Sequence, residues 1–207
     1  MPRMLRVDAL RAIYPELARC VVVTNMGFAP AELFSLGHQP GFFYLWHSMG
    51  LASSVGLGIA LSRPELQVVV IDGDGSLLMN LGTLTTLARY RPANLVHVVF
   101  DNEVLLSVGR SFTTATATGC DLAAMAAAAG VPRTATCRTE DELARAFTDA
   151  LAARELSTLV AKVEPVGPAS YFIDLHYLES RFQFQRHLRH LRQLKDSPGD
   201  TEEGGQE

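Results

Sequence analysis

Oxygen-bearing side chains follow two apolar runs of the kind that form buried strands. The Gly-Asp-Gly-Ser segment 73–76, which contains Asp74, comes directly after the run 67–72, and Asn102 comes soon after the run 94–100. The carboxyl ends of parallel strands meet at one edge of an open α/β sheet, and ligands bind at that edge. A carboxylate and an amide oxygen, beside glycines that allow close backbone approach, suit a hard cation that carries a diphosphate.

Alternating strand and helix patterns position these side chains. Apolar residues at helical spacing predict helices, and short β-branched or apolar runs predict strands. The predicted strands are 20–24, 42–46, 67–72, 94–100, 133–137 and 157–163. The predicted helices are 7–17, 29–36, 48–61, 77–90, 121–130 and 139–154. This order predicts a doubly wound α/β fold with a mostly parallel sheet flanked by helices.

The composition of the chain suggests three segments. We predict an α/β domain over residues 1–169, a C-terminal helical extension over 170–195 and a disordered, Gly- and acid-rich tail over 196–207. Within the domain, residues 102–119 form a long connection rich in Ser, Thr and Gly. Connections of that length usually carry function or move.

Charge and cysteine content exclude several classes of protein. The chain has 207 residues and a net charge of −4, which gives no reason to expect nucleic acid or an acidic membrane as a partner. Its three cysteines are widely spaced without a CxxC pair, which argues against a disulfide framework or a zinc site. We see no signal peptide and no apolar stretch long enough to span a bilayer. These features predict a cytoplasmic protein.

The Gly-Asp-Gly-Ser segment and Asn102 together resemble the diphosphate-binding motif of thiamine diphosphate enzymes. The similarity runs from about Phe42 to about Glu164. Within it, the segments 43–44, 48–61 and 107–109 look like the sulfopyruvate and phosphonopyruvate decarboxylase group. A lone Gly-Asp-Gly is a common turn, but the whole constellation is specific. The resemblance implies the diphosphate-binding (PP) domain of that family, with thiamine diphosphate and Mg²⁺ as cofactors.

The resemblance also implies a set of metal ligands. Asp74 supplies a carboxylate oxygen, Asn102 its side-chain oxygen and Val104 a main-chain carbonyl. Many relatives carry Asn-Asn where this chain has Asp101 followed by Asn102. Asp101 either points away from the metal or makes the site more acidic, and we expect Asn102 rather than Asp101 to coordinate.

Backbone N–H groups of Gly73, Gly75 and Ser76 are expected to bind the diphosphate at the start of the next helix. Two of the metal ligands also have a plainer interpretation. Asp74 could be a turn residue or a helix cap, and Asn102 could be a turn residue at the end of a strand.

A second group of cofactor-binding residues is His47, Ser48 and Met49. In the family, a bulky residue at the Met49 position props the cofactor into its bent shape. The carbonyl at the His47 position accepts a hydrogen bond from the aminopyrimidine, and relatives more often have Gly there. The His47 side chain is therefore a candidate for contact with the substrate, including its distal anion. The alternative is a histidine packed at a subunit interface.

Other polar residues allow weaker predictions. Arg110, Ser111, Thr113 and Thr114 could bind a phosphonate, sulfonate or carboxylate, or could belong to a solvated loop. His97 lies within a predicted strand and is expected in the core. The basic C-terminal helix is expected to dock on a partner or on a second copy rather than on nucleic acid.

The family's catalytic Glu belongs to a separate pyrimidine-binding domain, and we find no second α/β domain in this chain. The resemblance therefore implies a β-type subunit of a split enzyme, whose pyrimidine-binding α subunit carries that Glu. Its substrate is expected to be a small 2-oxo acid, its reaction a non-oxidative decarboxylation, and its assembly a homo- and hetero-oligomer. A carboligase or acyl-transfer subunit and a noncatalytic subunit that retains the fold are the alternatives.

Overall fold

The strands form one parallel sheet whose carboxyl ends all lie at the same edge. A computed structural model describes residues 3–109, 112–168 and 172–196. The strands are β1 (Val21–Thr24), β2 (Phe42–Tyr44), β3 (Val68–Gly73), β4 (Leu95–Asp101), β5 (Arg133–Cys137) and β6 (Ser157–Lys162). Their order is β2-β1-β3-β4-β6-β5, and every pair is parallel. The predicted fold class is confirmed.

Helices cover both faces of this sheet. They are α1 (Arg6–Leu17), α2 (Phe28–Leu36), α3 (Ala52–Ser62), α4 (Asp74–Met79), α5 (Thr83–Tyr90), α6 (Leu122–Ala129), α7 (Glu140–Ala153) and α8 (Tyr177–Asp196). Successive residues of a strand point to opposite faces. Accordingly Val69 and Ile71 of β3 pack with α1, α2 and α7, whereas Val68 and Val70 pack with α3, α5 and α6.

Two predicted helices were wrong in their extent. The predicted helix 48–61 begins only at Ala52, because a turn precedes it. The predicted helix 77–90 is split into α4 and α5. The break lies at Asn80, whose backbone leaves helical geometry and whose side-chain N–H donates to the carbonyl of Gly50 at 2.9 Å. A tertiary hydrogen bond at the site edge therefore replaces continuation of the helix.

The C-terminal helix covers the edge strand β2. Phe184 of α8 stacks on Phe43 with ring centroids 5.0 Å apart, and Gln183 hydrogen-bonds His38 at 3.0 Å. Edge strands are a risk for unwanted pairing, and a covering helix removes that risk. The predicted tail falls almost wholly at 197–207, outside the described residues. Within the described ranges, no helix is long and apolar enough to cross a membrane.

The described parts of the long connection after β4, residues 102–109 and 112–119, are folded rather than extended. Val104 forms an antiparallel bridge with Thr113, and Ala115–Thr118 form a 3₁₀ turn. This arrangement returns the chain to the end of β3. It thereby brings threonine side chains against Asp74.

Candidate active site

The ends of β1, β3 and β4 open onto one cavity. Gly73 pairs with Phe100 in the register of β3 and β4, so the residues that follow the two strands lie side by side. The cavity brings together most of the residues singled out from the sequence, namely Met49, Gly73, Asp74, Gly75, Ser76, Asn102 and Val104. Asp74, Asn102 and Val104 contribute oxygen atoms of the kind that Mg²⁺ prefers.

The carboxylate of Asp74 is buried and held by threonine hydroxyls. Asp74 is only 3% exposed. Thr114 donates to Asp74 Oδ2 at 2.6 Å, and Thr116 lies 3.3 Å from the same oxygen. Burial raises the pKa of Asp74 from 3.8 to about 6, and the charge of Asp101 adds to the increase. A buried carboxylate with a raised pKa is well suited to a cation, which would favour its charged form.

A count of protons supports this raised pKa. Oxygen contacts of 2.6–2.7 Å link Asp74 to Thr114, Thr114 to Thr116, and Thr116 to Asp101. The two hydroxyls supply one proton each. If both carboxyl groups are ionised, one of the three contacts has no proton. The chain of side chains can therefore take up one proton when no cation is bound.

Asp101 is directed away from the cavity, towards Lys162. Its Oδ2 forms an ion pair with Lys162 at 2.5 Å. Its Oδ1 accepts hydrogen bonds from Thr116 at 2.7 Å and from the backbone N–H of Glu103 at 3.2 Å. Because both oxygens are engaged, Asp101 is a poor candidate for a metal ligand. Asn102, by contrast, lines the cavity, and its Oδ1 accepts from Val104 N at 3.1 Å.

The loop expected to bind the diphosphate is tightly enclosed. A Cβ at Gly75 would lie 2.3 Å from Leu105 Cδ2, so a larger residue there would force the Leu105 side chain to shift. The N–H of Gly73 donates to Asp72 at 2.9 Å and is less available to a ligand. Ser76 Oγ accepts from Gly50 N at 2.9 Å, which leaves its hydroxyl proton for another acceptor. This close backbone and the oxygen donors fit a diphosphate with its cation.

Some cavity residues carried no signal in the sequence. Arg6 lines the cavity and is buried, and its guanidinium donates to both carboxylate oxygens of Glu32, at 2.6 and 2.9 Å. Thr116 and Lys162, which contact Asp101, were not predicted from the sequence either. Each of these contacts joins residues far apart in the chain, so no local sequence pattern indicates it. Across the described residues, no group of three His, Cys, Asp or Glu could hold a metal by itself.

The predicted segment 47–49 is divided between two cavities. Met49 lines the cavity of Asp74, whereas His47 lines a neighbouring cavity with Trp46, His176 and Tyr177. His47 has a φ of 51°, a conformation that favours glycine. Ser48 lines neither cavity among the residues described, and its hydroxyl donates to the carbonyl of Trp46 at 2.8 Å.

The remaining sequence candidates have mixed positions. Arg110 and Ser111 lie outside the described residues. Thr113 is exposed, and the hydroxyl of Thr114 is directed to Asp74. His97 is buried within β4, as expected, with Nε2 at 3.4 Å from the carboxylate of Asp72.

Comparison with known proteins gives consistent relatives. The chain is 44% identical over 151 residues to a phosphonopyruvate decarboxylase of Streptomyces viridochromogenes, covering 72% of this chain but only 37% of that protein. It is 32% identical over 185 residues to the sulfopyruvate decarboxylase subunit beta of Methanocaldococcus jannaschii, covering 89% of this chain and 97% of the subunit.

The fold is shared with solved enzymes. The thiamine diphosphate-dependent 4-hydroxybenzoylformate decarboxylase of Rhodococcus jostii RHA1 matches 79% of this chain and 33% of its own, with a TM-score of 0.66 at 20% identity. That likeness concerns the fold alone. Residues 23–161 match the family model described as the C-terminal TPP binding domain of thiamine pyrophosphate enzymes, thiamine pyrophosphate (TPP) being another name for thiamine diphosphate. The chain therefore belongs to the thiamine diphosphate enzyme family, and the part of the family that it matches is the C-terminal cofactor-binding domain.

Proposed function

We propose that the chain is the diphosphate-binding subunit of a split, thiamine diphosphate-dependent 2-oxo acid decarboxylase similar to those for sulfopyruvate and phosphonopyruvate. One observation carries the proposal: a buried Asp74 shares a cavity with Asn102 and Val104 at the carboxyl edge of the sheet. Support comes from a β subunit of a sulfopyruvate decarboxylase that this chain matches over 97% of its length.

In this proposal each side chain has a defined task. Asp74, Asn102 and the carbonyl of Val104 would hold Mg²⁺, while Gly75 and Ser76 bind the diphosphate. When bound, thiamine diphosphate supplies an electron sink for the loss of CO₂ from a 2-oxo acid. The protein binds and orients the reactants and excludes water from them. Thr114 keeps the carboxylate of Asp74 in place through its 2.6 Å hydrogen bond.

The second subunit completes the site. A pyrimidine-binding partner would contribute the catalytic Glu and cover the cavity from outside. The exposed aromatic side chains near the cavity, among them Phe28 and Trp46, are suited to burial against such a partner. We expect an assembly that contains several copies of both chains in the cytoplasm.

Reconstitution tests this function. The chain alone and the chain co-purified with a pyrimidine-binding subunit, such as one encoded next to it, are incubated with Mg²⁺, thiamine diphosphate and sulfopyruvate or phosphonopyruvate. We expect CO₂ and an aldehyde from the complex only, and loss of both with EDTA. Turnover by the chain alone would refute the split site. Acyloin formation with an added aldehyde would indicate a carboligase, and a flat calorimetric titration of the complex with cofactor would indicate a noncatalytic subunit.

A further inference from the structure

Three cavities that share lining residues follow one another from Asp74 to the end of β2. The cavity of Asp74 shares Met26, Gly27 and Phe28 with an intermediate cavity. That intermediate cavity shares Trp46, His47 and Ile173 with a cavity of about 700 Å³, which we call the His47 cavity. Its volume is enough for a small organic ligand. The shared residues place the His47 cavity one cavity away from the site proposed for the cofactor.

The His47 cavity is lined by hydrogen-bond donors that have no partner within the described chain. Trp46 carries an indole N–H, Tyr177 a phenol and His47 an imidazole, and none of these groups makes a hydrogen bond there. His176 lies in the same lining, and its Nδ1 accepts from Leu178 N at 3.3 Å. A neutral His176 therefore carries its proton on Nε2 and presents a further donor.

The backbone of His47 has an unusual conformation. Its φ of 51° costs a non-glycine residue free energy on the order of 1 kcal/mol, as do the positive φ angles of Arg91, Glu103 and Arg154 elsewhere in the described chain. The sequence nevertheless places an imidazole here. We infer that the His47 cavity is the subsite for the distal anionic group of the 2-oxo acid, a sulfonate, phosphonate or carboxylate. This inference rests on the proposed function and names the residues that select its substrate.

The chain offers a competing location for that anion, in the loop with Arg110. Thr114 of that loop is already engaged with Asp74. The His47 cavity also contains an opposing group, Asp174, the one charged side chain among its described lining residues. If the anion binds in the His47 cavity, removing a histidine there should weaken the preference for a substrate with a distal anion, and removing the charge of Asp174 should strengthen it. If the anion binds in the loop, removing Arg110 should weaken that preference instead.

The first experiment measures substrate preference in the reconstituted complex. The ratio of kcat/KM for sulfopyruvate to kcat/KM for pyruvate, which lacks the distal anion, is determined for each variant. His47→Gly and His176→Ala should each lower this ratio about tenfold or more, mainly through KM for sulfopyruvate. Asp174→Asn should raise it. Arg154→Gly is the matched control for His47→Gly, because Arg154 has a φ of 50° but lies far along the chain, at the end of α7.

The second experiment measures binding without turnover. Trp46 is the single tryptophan of the chain, so its fluorescence reports on the His47 cavity. Sulfoacetate should quench this fluorescence at concentrations at which acetate does not, and His47→Gly should weaken the effect about tenfold. The titration uses the reconstituted complex. The same complex with Trp46→Phe gives the background fluorescence that comes from the partner subunit.

The outcomes separate this inference from the proposed function. An unchanged substrate ratio in both histidine variants, or equal quenching by sulfoacetate and acetate, would overturn the subsite. Loss of preference on Arg110→Ala alone would place the anion in the loop and would also overturn it. If the wild-type complex turns over no 2-oxo acid, the proposed function fails, while the fluorescence titration still decides whether the cavity binds the anion.

Discussion

Two regions of the same sheet edge differ in how fully their polar groups are used. At the ends of β3 and β4, Asp74 and Asp101 are buried, and each accepts hydrogen bonds from threonine hydroxyls. At the end of β2, Trp46 and His47 are exposed and their rings make no hydrogen bond within the described chain. The first region is organised before any ligand arrives, whereas the second leaves its polar groups free for the ligand or partner that we propose.

The difference has a physical basis in what each region would hold. A divalent cation with a diphosphate demands fixed oxygen ligands, and fixed ligands need supporting hydrogen bonds. Those supports come from Thr114, Thr116 and Lys162. The proposed substrate group and partner subunit would bind later, and a surface of unpaired donors and aromatic rings can adapt to them. The predictions below test whether the two regions differ as described.

The largest effect is expected from Asp74→Ala. This change removes the carboxylate proposed as a metal ligand, so affinity for thiamine diphosphate with Mg²⁺ should fall by more than about 100-fold. The domain should stay folded, because the change leaves the apolar core intact. Isothermal titration calorimetry and circular dichroism measure the two quantities. Asp149→Ala, an exposed aspartate on α7, is the control, and wild-type affinity in Asp74→Ala would remove Asp74 from the proposal.

The next largest effect concerns the ion pair behind the proposed metal site. Lys162→Met leaves the carboxylate of Asp101, whose side chain is fully buried, without its partner and should lower the free energy of unfolding by about 3 kcal/mol. Asp101→Asn should cost less, since Lys162 is partly exposed and lies 3.7 Å from Glu103. The double variant should recover most of the loss. Urea denaturation measures all three, and additive effects of the two changes would show that the pair is not coupled.

A smaller effect is expected in the dependence of stability on pH without metal. The pKa of Asp74 is raised to about 6, chiefly by burial, so the folded domain binds this proton more tightly than the unfolded chain does. The corresponding stabilisation is complete below pH ~4 and is lost as the pH rises through about 6. Asp74→Asn does not titrate. Its stability relative to wild type should therefore increase by about 2–3 kcal/mol between pH ~4 and ~7.

The measurement is urea unfolding in EDTA at several pH values. Asp149→Asn serves as the control, because its exposed carboxylate should leave the difference from wild type flat. If the difference in the free energy of unfolding between Asp74→Asn and wild type is also independent of pH, burial does not raise the pKa of Asp74. Saturating Mg²⁺ and thiamine diphosphate should stabilise the wild type relative to Asp74→Asn, since we expect only the wild type to bind them tightly.

The sequence allowed prediction of what depends on neighbours in the chain and on topology. The β-branched runs marked the strands, and parallel order then placed Asp74 and Asn102 on one edge. The sequence did not reveal contacts that join distant segments of the chain. The break at Asn80 depends on a carbonyl 30 residues away, and the Lys162–Asp101 pair joins positions 61 apart. Such contacts have no local periodicity, and they appear only once the fold is known.

The smallest effect distinguishes the end of β2 as a place where conformational strain is tolerated. His47→Gly should raise the free energy of unfolding by about 0.5–1 kcal/mol, because glycine adopts positive φ without steric cost. Arg154→Gly, at nearly the same φ, should give a similar gain. Thermal unfolding of both variants and the wild type measures these changes. The two variants should differ only in function, with sulfopyruvate preference lost in His47→Gly and kept in Arg154→Gly. If His47→Gly instead destabilises the chain while Arg154→Gly does not, the imidazole contributes packing, and the end of β2 is a structural element rather than an open subsite.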